Sequence, residues 1–261
     1  MKIIASIIIV LLLLAGGASW FLTSGYLNDF IKEQIETVGT QITEQNVTVK
    51  AVDIKITTGA GSILGINVAN PKKYTQPNAF SLGEATLDID LESINSSPII
   101  IDAIIIKSPE AFVEMTKSGG SNIKDILDAI ERNAPKSEGQ QEETASTTDE
   151  PKIKVSKIVL AGTALSLDLS AFGNKNHTAT LPDITLTNIG GDAGLPASEL
   201  GSVIAKEALS NIWKQAKKSQ KSKLIDDAKE KAKEKLKEKL NEKLKDKVSD
   251  DVKDKLKGLF N

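Results

Sequence analysis

The chain has 261 residues, with 33 Lys and Arg against 35 Asp and Glu, a formal net charge of -2 and no cysteine. Absence of cysteine excludes disulfides, thiolate metal centres, cysteine nucleophiles and a lipid-modified cysteine anchor. Aromatic residues make up only 4% of the chain, too few for a surface that stacks on bases or sugar rings.

Residues Ile3 to Leu22 are apolar or small throughout, and Lys2 is the only charge ahead of them. About 20 such residues at a rise of 1.5 Å span a hydrocarbon core of ~30 Å, so residues 1–24 are expected to be a transmembrane anchor. Trp20 and Tyr26 stand where interfacial rings are wanted, and Lys2 sets the N-terminus on the cytoplasmic side. A cleaved signal peptide is the competing reading, since Gly16 and Ala18 form a small-x-small site. Either one exports the rest of the chain.

Tyr26 to Thr43 carries Leu27, Phe30, Ile31, Ile35, Val38 and Ile42 at helical spacing and predicts an amphipathic helix over one end of a sheet. From Asn46 to Met115 apolar residues alternate, as in Val52, Ile54 and Ile56, or Leu87, Ile89 and Leu91, which is the pattern of half-buried strands. One strand is expected from Phe80 to Ile94, with Asp88 and Asp90 on its wet face. The run Ile99 to Ile106 is apolar at nearly every position and reads as a strand that is buried on both faces or sits centrally in the sheet. Gly59, Gly61 and Gly65 lie in a strand–turn–strand context, which argues against a nucleotide-binding loop because no helix follows. Ser121 caps a short helix from Asn122 to Arg132.

Residues 134–151 are rich in Ser, Thr, Gln and Glu and read as a polar linker dividing two β-rich units, 25–133 and 152–213. The second unit alternates again through Ile153, Val155, Leu165, Leu167, Ile184 and Leu186, and closes with helical spacing from Gly201 to Trp213. His177, the single histidine, sits in a polar loop without the partners a metal site or triad requires. Residues 214–261 form a Lys/Glu-rich helical tail with an apolar residue every fourth position, among them Ala228, Ala232, Leu236 and Leu240. Each four-residue step drifts about 40° around a helix, so the stripe is no heptad seam. Three readings of the tail stay open: a solvated single helix, contact with helices of a partner, and adsorption to an anionic membrane. Nucleic acid is disfavoured, because carboxylates alternate with the lysines.

The phrases Val52-Asp53-Ile54-Lys55-Ile56, Leu64-Gly65-Ile66-Asn67-Val68-Ala69-Asn70-Pro71, Leu87-Asp88-Ile89-Asp90-Leu91, Ile104-Ile105-Ile106-Lys107-Ser108-Pro109 and Leu181-Pro182-Asp183-Ile184-Thr185-Leu186 follow an anchor and an amphipathic helix. In this order they resemble the AsmA-like proteins of Gram-negative envelopes. The resemblance covers residues 1 to about 190 and does not extend to the basic tail. It implies an α+β fold: an N-terminal transmembrane helix, an amphipathic helix, a curved, mostly antiparallel β-groove in two units, and then this chain's own long charged helix. It also implies an inner-membrane-anchored periplasmic protein that binds phospholipid acyl chains and serves lipid transport or envelope maintenance. No enzyme activity, cofactor or metal is expected. The lipid-contacting set is expected to include Ile54, Ile56, Leu87, Ile89, Ile101 and Ile105, although alternation alone does not say which set faces inward. An ordinary closed core would use the same residues. The other function open to the sequence is a membrane-tethered platform that recruits an envelope protein through the C-terminal helix.

Overall fold

The computed structural model describes residues 26–134, 151–173 and 176–245. The expected anchor at 1–24, most of the linker and the end of the tail lie outside these residues. Among the described residues no helix is long and apolar enough to cross a membrane.

The fold is α+β, built on one curved, unclosed, mostly antiparallel sheet. Helix α1 (Tyr26–Thr43) leads into strands β1 (Val47–Lys55), β2 (Ala60–Ala69) and β3 (Asn78–Ile89), followed by β4 (Ile99–Lys107) and β5 (Glu110–Glu114). Helix α2 (Asn122–Asn133) precedes β6 (Lys152–Leu160), β7 (Ala164–Asp168), β8 (His177–Thr180), β9 (Ile184–Ile189) and β10 (Leu195–Pro196), and α3 spans Ala197–Lys245. Helix α1 ends at Thr43, where its apolar spacing predicts. Its place differs, because it runs along the edge strand β1. There Asn28, Glu36 and Thr40, on one helical face, accept hydrogen bonds from the backbone N–H groups of Ile54, Val49 and Val47 at 3.0, 2.7 and 3.0 Å. Side-chain oxygens thereby occupy donors that an uncovered edge would leave free to pair with another chain.

The strands before and after residues 134–151 share this one sheet. β6 pairs parallel with β4, and β7 pairs parallel with β5. β4 and β5 follow one another along β3, while β9 and β8 flank β6 and β7. The sheet is therefore six tracks wide, and three tracks are broken at the same level: at Ser108–Pro109, at Ala161–Thr163 and at Leu181–Asp183. Backbone bonds stitch the breaks, from Ala164 N–H to Pro109 O and from Leu181 N–H to Thr163 O, both at 2.8 Å.

This crease explains an oddity of the apolar pattern. One line of paired residues crosses the sheet as Val47, Val68, Phe80, Ala111, Leu165 and Ala179. A second crosses as Val52, Ile63, Ala85, Ile106, Leu160 and Ile184. In every track the two lines stand five residues apart, an odd step that strict alternation would send to opposite faces. Buried members of both lines nevertheless lie in one contiguous core, among them Ala85, Ile106, Ala111, Leu160 and Leu165. Left-handed residues at the crease, Gly65 (φ 62), Ser108 (φ 50) and Gly162 (φ 57), interrupt the alternation as a bulge does. Gly65 has a second reason to be glycine, since a Cβ there would lie 2.9 Å from Lys50 Cβ.

The expected strand Phe80–Ile94 stops at Ile89. Asp90 ends it by accepting the Glu92 N–H at 2.9 Å and capping a 3-10 turn over Leu91–Ser93. Helix α2 starts as its sequence predicts, with the Ser121 hydroxyl accepting the Lys124 N–H. It buries Ile123, Ile126, Leu127 and Ile130. The first turns of α3 bury Ala208, Leu209, Ile212, Trp213 and Ala216 in the same core. Residues from Lys217 onward constitute a second compact unit.

Candidate functional site

Burial changes in one direction along two of the apolar lines of the half-sheet that holds β4, β6 and β9. The line Ile54, Gly61, Leu87, Ile104, Ile158 and Leu186 is continuous through its cross-strand pairs. Ile158 and Leu186 are buried, whereas Ile54, Leu87 and Ile104 are half-buried. The next line has the same gradient, from buried Val155 and Ile101 to half-buried Ile89. Ile63 on β2 is half-buried as well. Ile54, Ile63, Leu87 and Ile89 thus keep part of their surface in water, whereas Val155, Ile158 and Leu186 on β6 and β9 are buried; Val52 and Ala85, on the line that passes through Ile63, are buried too. Ile54, Ile63, Leu87, Ile89 and Ile104 are the half-buried apolar residues of this face, the last four of them packed against the core on one side.

Of the six residues expected to contact lipid, Ile54 and Leu87 share the first of these lines, and Ile89 stands beside them on β3. Ile101 pairs with Ile89 but is only 8% exposed, a core position. Ile56 lies in the turn after β1 and is half-buried. Ile105 is 43% exposed and pairs with Thr86 and Val159, so it lies on the face opposite Ile104. That opposite face carries the Glu84–Lys107 ion pair at 2.9 Å. Ile63 and Ile104 were absent from the expected set. Register against β6 was the missing information, because Ile104 and Ile105 are identical in sequence terms and differ only in what they pair with.

A second cluster is polar and lies where α1, α2 and the loop after β2 meet. A shallow cavity of about 260 Å³ there is lined by Glu44, Lys73, Asp125, Asp128 and Arg132, among others. Its cations are already engaged. Lys73 pairs with Asp125 at 2.8 Å, Arg132 with Glu44 at 2.9 Å, and Lys124 with Asp128. The Tyr74 hydroxyl donates to Asp125 at 2.5 Å. Burial, helped by Asp125, pushes the Tyr74 phenol well above its ordinary value. Burial alone would raise the Asp125 carboxyl, but the hydrogen bonds from Lys73 and Tyr74 outweigh it and hold Asp125 below its ordinary value of 3.8. A depressed carboxyl stabilises the fold above its unfolded pKa, and that contribution is lost as the pH falls through the lower folded value. Asp125→Asn is accordingly expected to lower the urea midpoint at neutral pH. The gap from wild type should close as the pH is brought well under 3.8, and a gap of constant size would show that charge at Asp125 is immaterial.

Asp88 is exposed on β3 and Asp90 serves as a cap, so the two carboxylates do not converge. His177 opens β8 opposite Leu167. Among the described residues no three His, Asp or Glu side chains stand close enough to hold a metal. No protein-family profile, no curated protein and no solved structure matches the chain.

Proposed function

We propose that this chain is an AsmA-like protein, held by residues 1–24 in a bacterial inner membrane with the remainder in the periplasm. It binds phospholipid acyl chains on its open apolar sheet face and takes part in lipid transport or envelope maintenance. The observation that carries the reading is the burial gradient. Ile54, Ile63, Leu87, Ile89 and Ile104 form one apolar strip left partly in water, and a strip of that kind is what an acyl chain covers. Removing such surface from water contributes about 25 cal/mol per Å². In this mechanism the protein breaks no bond: the strip shields methylenes, and the headgroup stays in solvent.

Mass spectrometry of organic extracts from a purified fragment spanning residues 26–216 tests it. Stoichiometric phospholipid is expected. Leu87→Glu, which sets a carboxylate in the middle of the strip, is expected to reduce the bound lipid at least about tenfold, equivalent to ~1.4 kcal/mol, with the circular dichroism spectrum unchanged. A folded wild-type fragment that carries no lipid would rule the proposal out.

A further inference from the structure

The tail remains outside that reading, and its chemistry is unusually regular. Between Lys214 and the C-terminus the sequence holds 17 lysines against 10 carboxylates. The described part is helical through Lys245, and Leu236 is 60% exposed. Every residue from Ala228 to Lys239 is exposed.

At about 100° per residue, the segment 229–242 has a definite cross-section. With Leu236 at the centre, Ala232 and Leu240 stand about 40° to either side, making an apolar arc of about 80°. Lys233 and Lys239 follow at about 60° on the two flanks, and Lys235 and Lys237 at about 100°. Glu234 and Glu238 sit near 160°, on the far side. The carboxylates are therefore sorted, all four of them standing about 120° or more from the centre of the arc, while four of the six lysines border it; Lys229 falls within the arc at about 20° and Lys231 on the far side at about 140°. A helix that only needed solubility has no reason to sort its charges in this way, since lysines and glutamates serve equally anywhere on a wet surface. A helix seated in a bilayer interface does have a reason. Its apolar residues enter the acyl boundary, flanking lysines extend their methylene stems along it and place their charges at the lipid phosphates, and carboxylates stay clear of an anionic surface.

We infer that residues 229–242 dock on an anionic lipid surface, apolar arc inward. A partner's helix is the poorer occupant. The four-residue repeat turns the stripe by about 40° per step, so it presents no straight seam for knobs-into-holes packing. A bilayer requires no register, and an arc of three residues suffices for local seating. The inference stands independently of whether the sheet face holds lipid.

Because the chain has no cysteine, Leu236→Cys carrying an environment-sensitive fluorophore reports this one position. The full chain is held in phosphatidylcholine nanodiscs and mixed with vesicles of phosphatidylcholine alone, or of phosphatidylcholine and phosphatidylglycerol in equal parts. The expected result is a blue shift with the phosphatidylglycerol vesicles only, abolished at 1 M salt, where the Debye length is ~3 Å. Replacing Lys233, Lys235, Lys237 and Lys239 together by Gln should weaken vesicle affinity by about tenfold or more, because four attractions to the anionic surface are lost while the side-chain stems remain. Glutamine keeps good helix propensity, and circular dichroism checks that the helix persists. No shift with either vesicle, an equal shift with both, or a shift that follows protein concentration without vesicles would each overturn the inference, the last by pointing to helix–helix association.

Discussion

Asn122→Leu is expected to lower the stability of the 26–216 unit by about 3–5 kcal/mol, although the substitution is apolar and similar in size. Asn122 is fully buried at the first turn of α2. Its Oδ1 accepts the Glu114 N–H at 3.0 Å, and its Nδ2 donates to Phe112 O at 2.6 Å and to Asn70 Oδ1 at 2.8 Å. One side chain thus ties α2 to β5 and to the loop after β2. Leucine leaves all three partners without it, and a buried polar group stripped of its hydrogen bond costs about 1–3 kcal/mol. Ser121→Ala, which removes only the adjacent helix cap, should cost about 1 kcal/mol. Urea unfolding of both variants separates the two roles. If Asn122→Leu proves no worse than Ser121→Ala, the network carries no special weight.

The second large effect contrasts two isoleucines that are direct cross-strand partners. Ile158 has no exposed surface, whereas Ile104 beside it is half-buried. Truncation to alanine at Ile158 should cost about 3–4 kcal/mol, within the range for isoleucine in a closed core. The same truncation at Ile104 should cost about 1 kcal/mol, because solvent already reaches the site and no enclosed cavity forms. Phospholipid binding should show the reverse order, with the Ile104 variant losing lipid and the Ile158 variant retaining it at temperatures where it is folded. Equal destabilisation at the two positions would mean that the sheet face is closed by protein, and the proposed lipid strip would not exist.

Much of the fold was legible in the sequence, for identifiable reasons. Helix α1 announces itself because Leu27, Phe30, Ile31 and Ile35 repeat with the helical period. Ser121 marks the start of α2 because its hydroxyl meets an N–H that the helix cannot satisfy itself. The alternation of β1 to β3 requires a sheet with one greasy face. What alternation cannot supply is long-range pairing. Parallel contact of β6 with β4 joins residues about fifty apart, and no local pattern encodes it. The crease is written in the sequence only as five-residue steps between apolar positions, which look like noise until the left-handed residues that absorb them are known. Ile99 to Ile106 has apolar residues on both faces, so nothing in it separates Ile104 from Ile105. The stop at Ile89 was hidden because Leu91 continues the period while Asp90 has already turned the backbone. Gly201–Trp213 and the tail read as two segments because hydrophobicity drops at Lys214, yet the backbone has no reason to break there, and α3 runs through.

The parallel pairing across residues 134–151 also orders events in time. A chain emerging from its N-terminus delivers β1 to β5 and both short helices first. At that stage α1 already seals one edge of the sheet, but the other edge, formed by β4 and β5, has no neighbour. It acquires one only after β6 and β7 have arrived, residues 152 to 168. Through that interval the nascent protein exposes the isoleucine-rich β4 beside a row of unpaired backbone groups, the combination most prone to wrong pairing with another chain. The stretch at 134–151, with five carboxylates against one lysine, is the next to emerge, so the sheet cannot be finished until those residues have followed the exposed edge out.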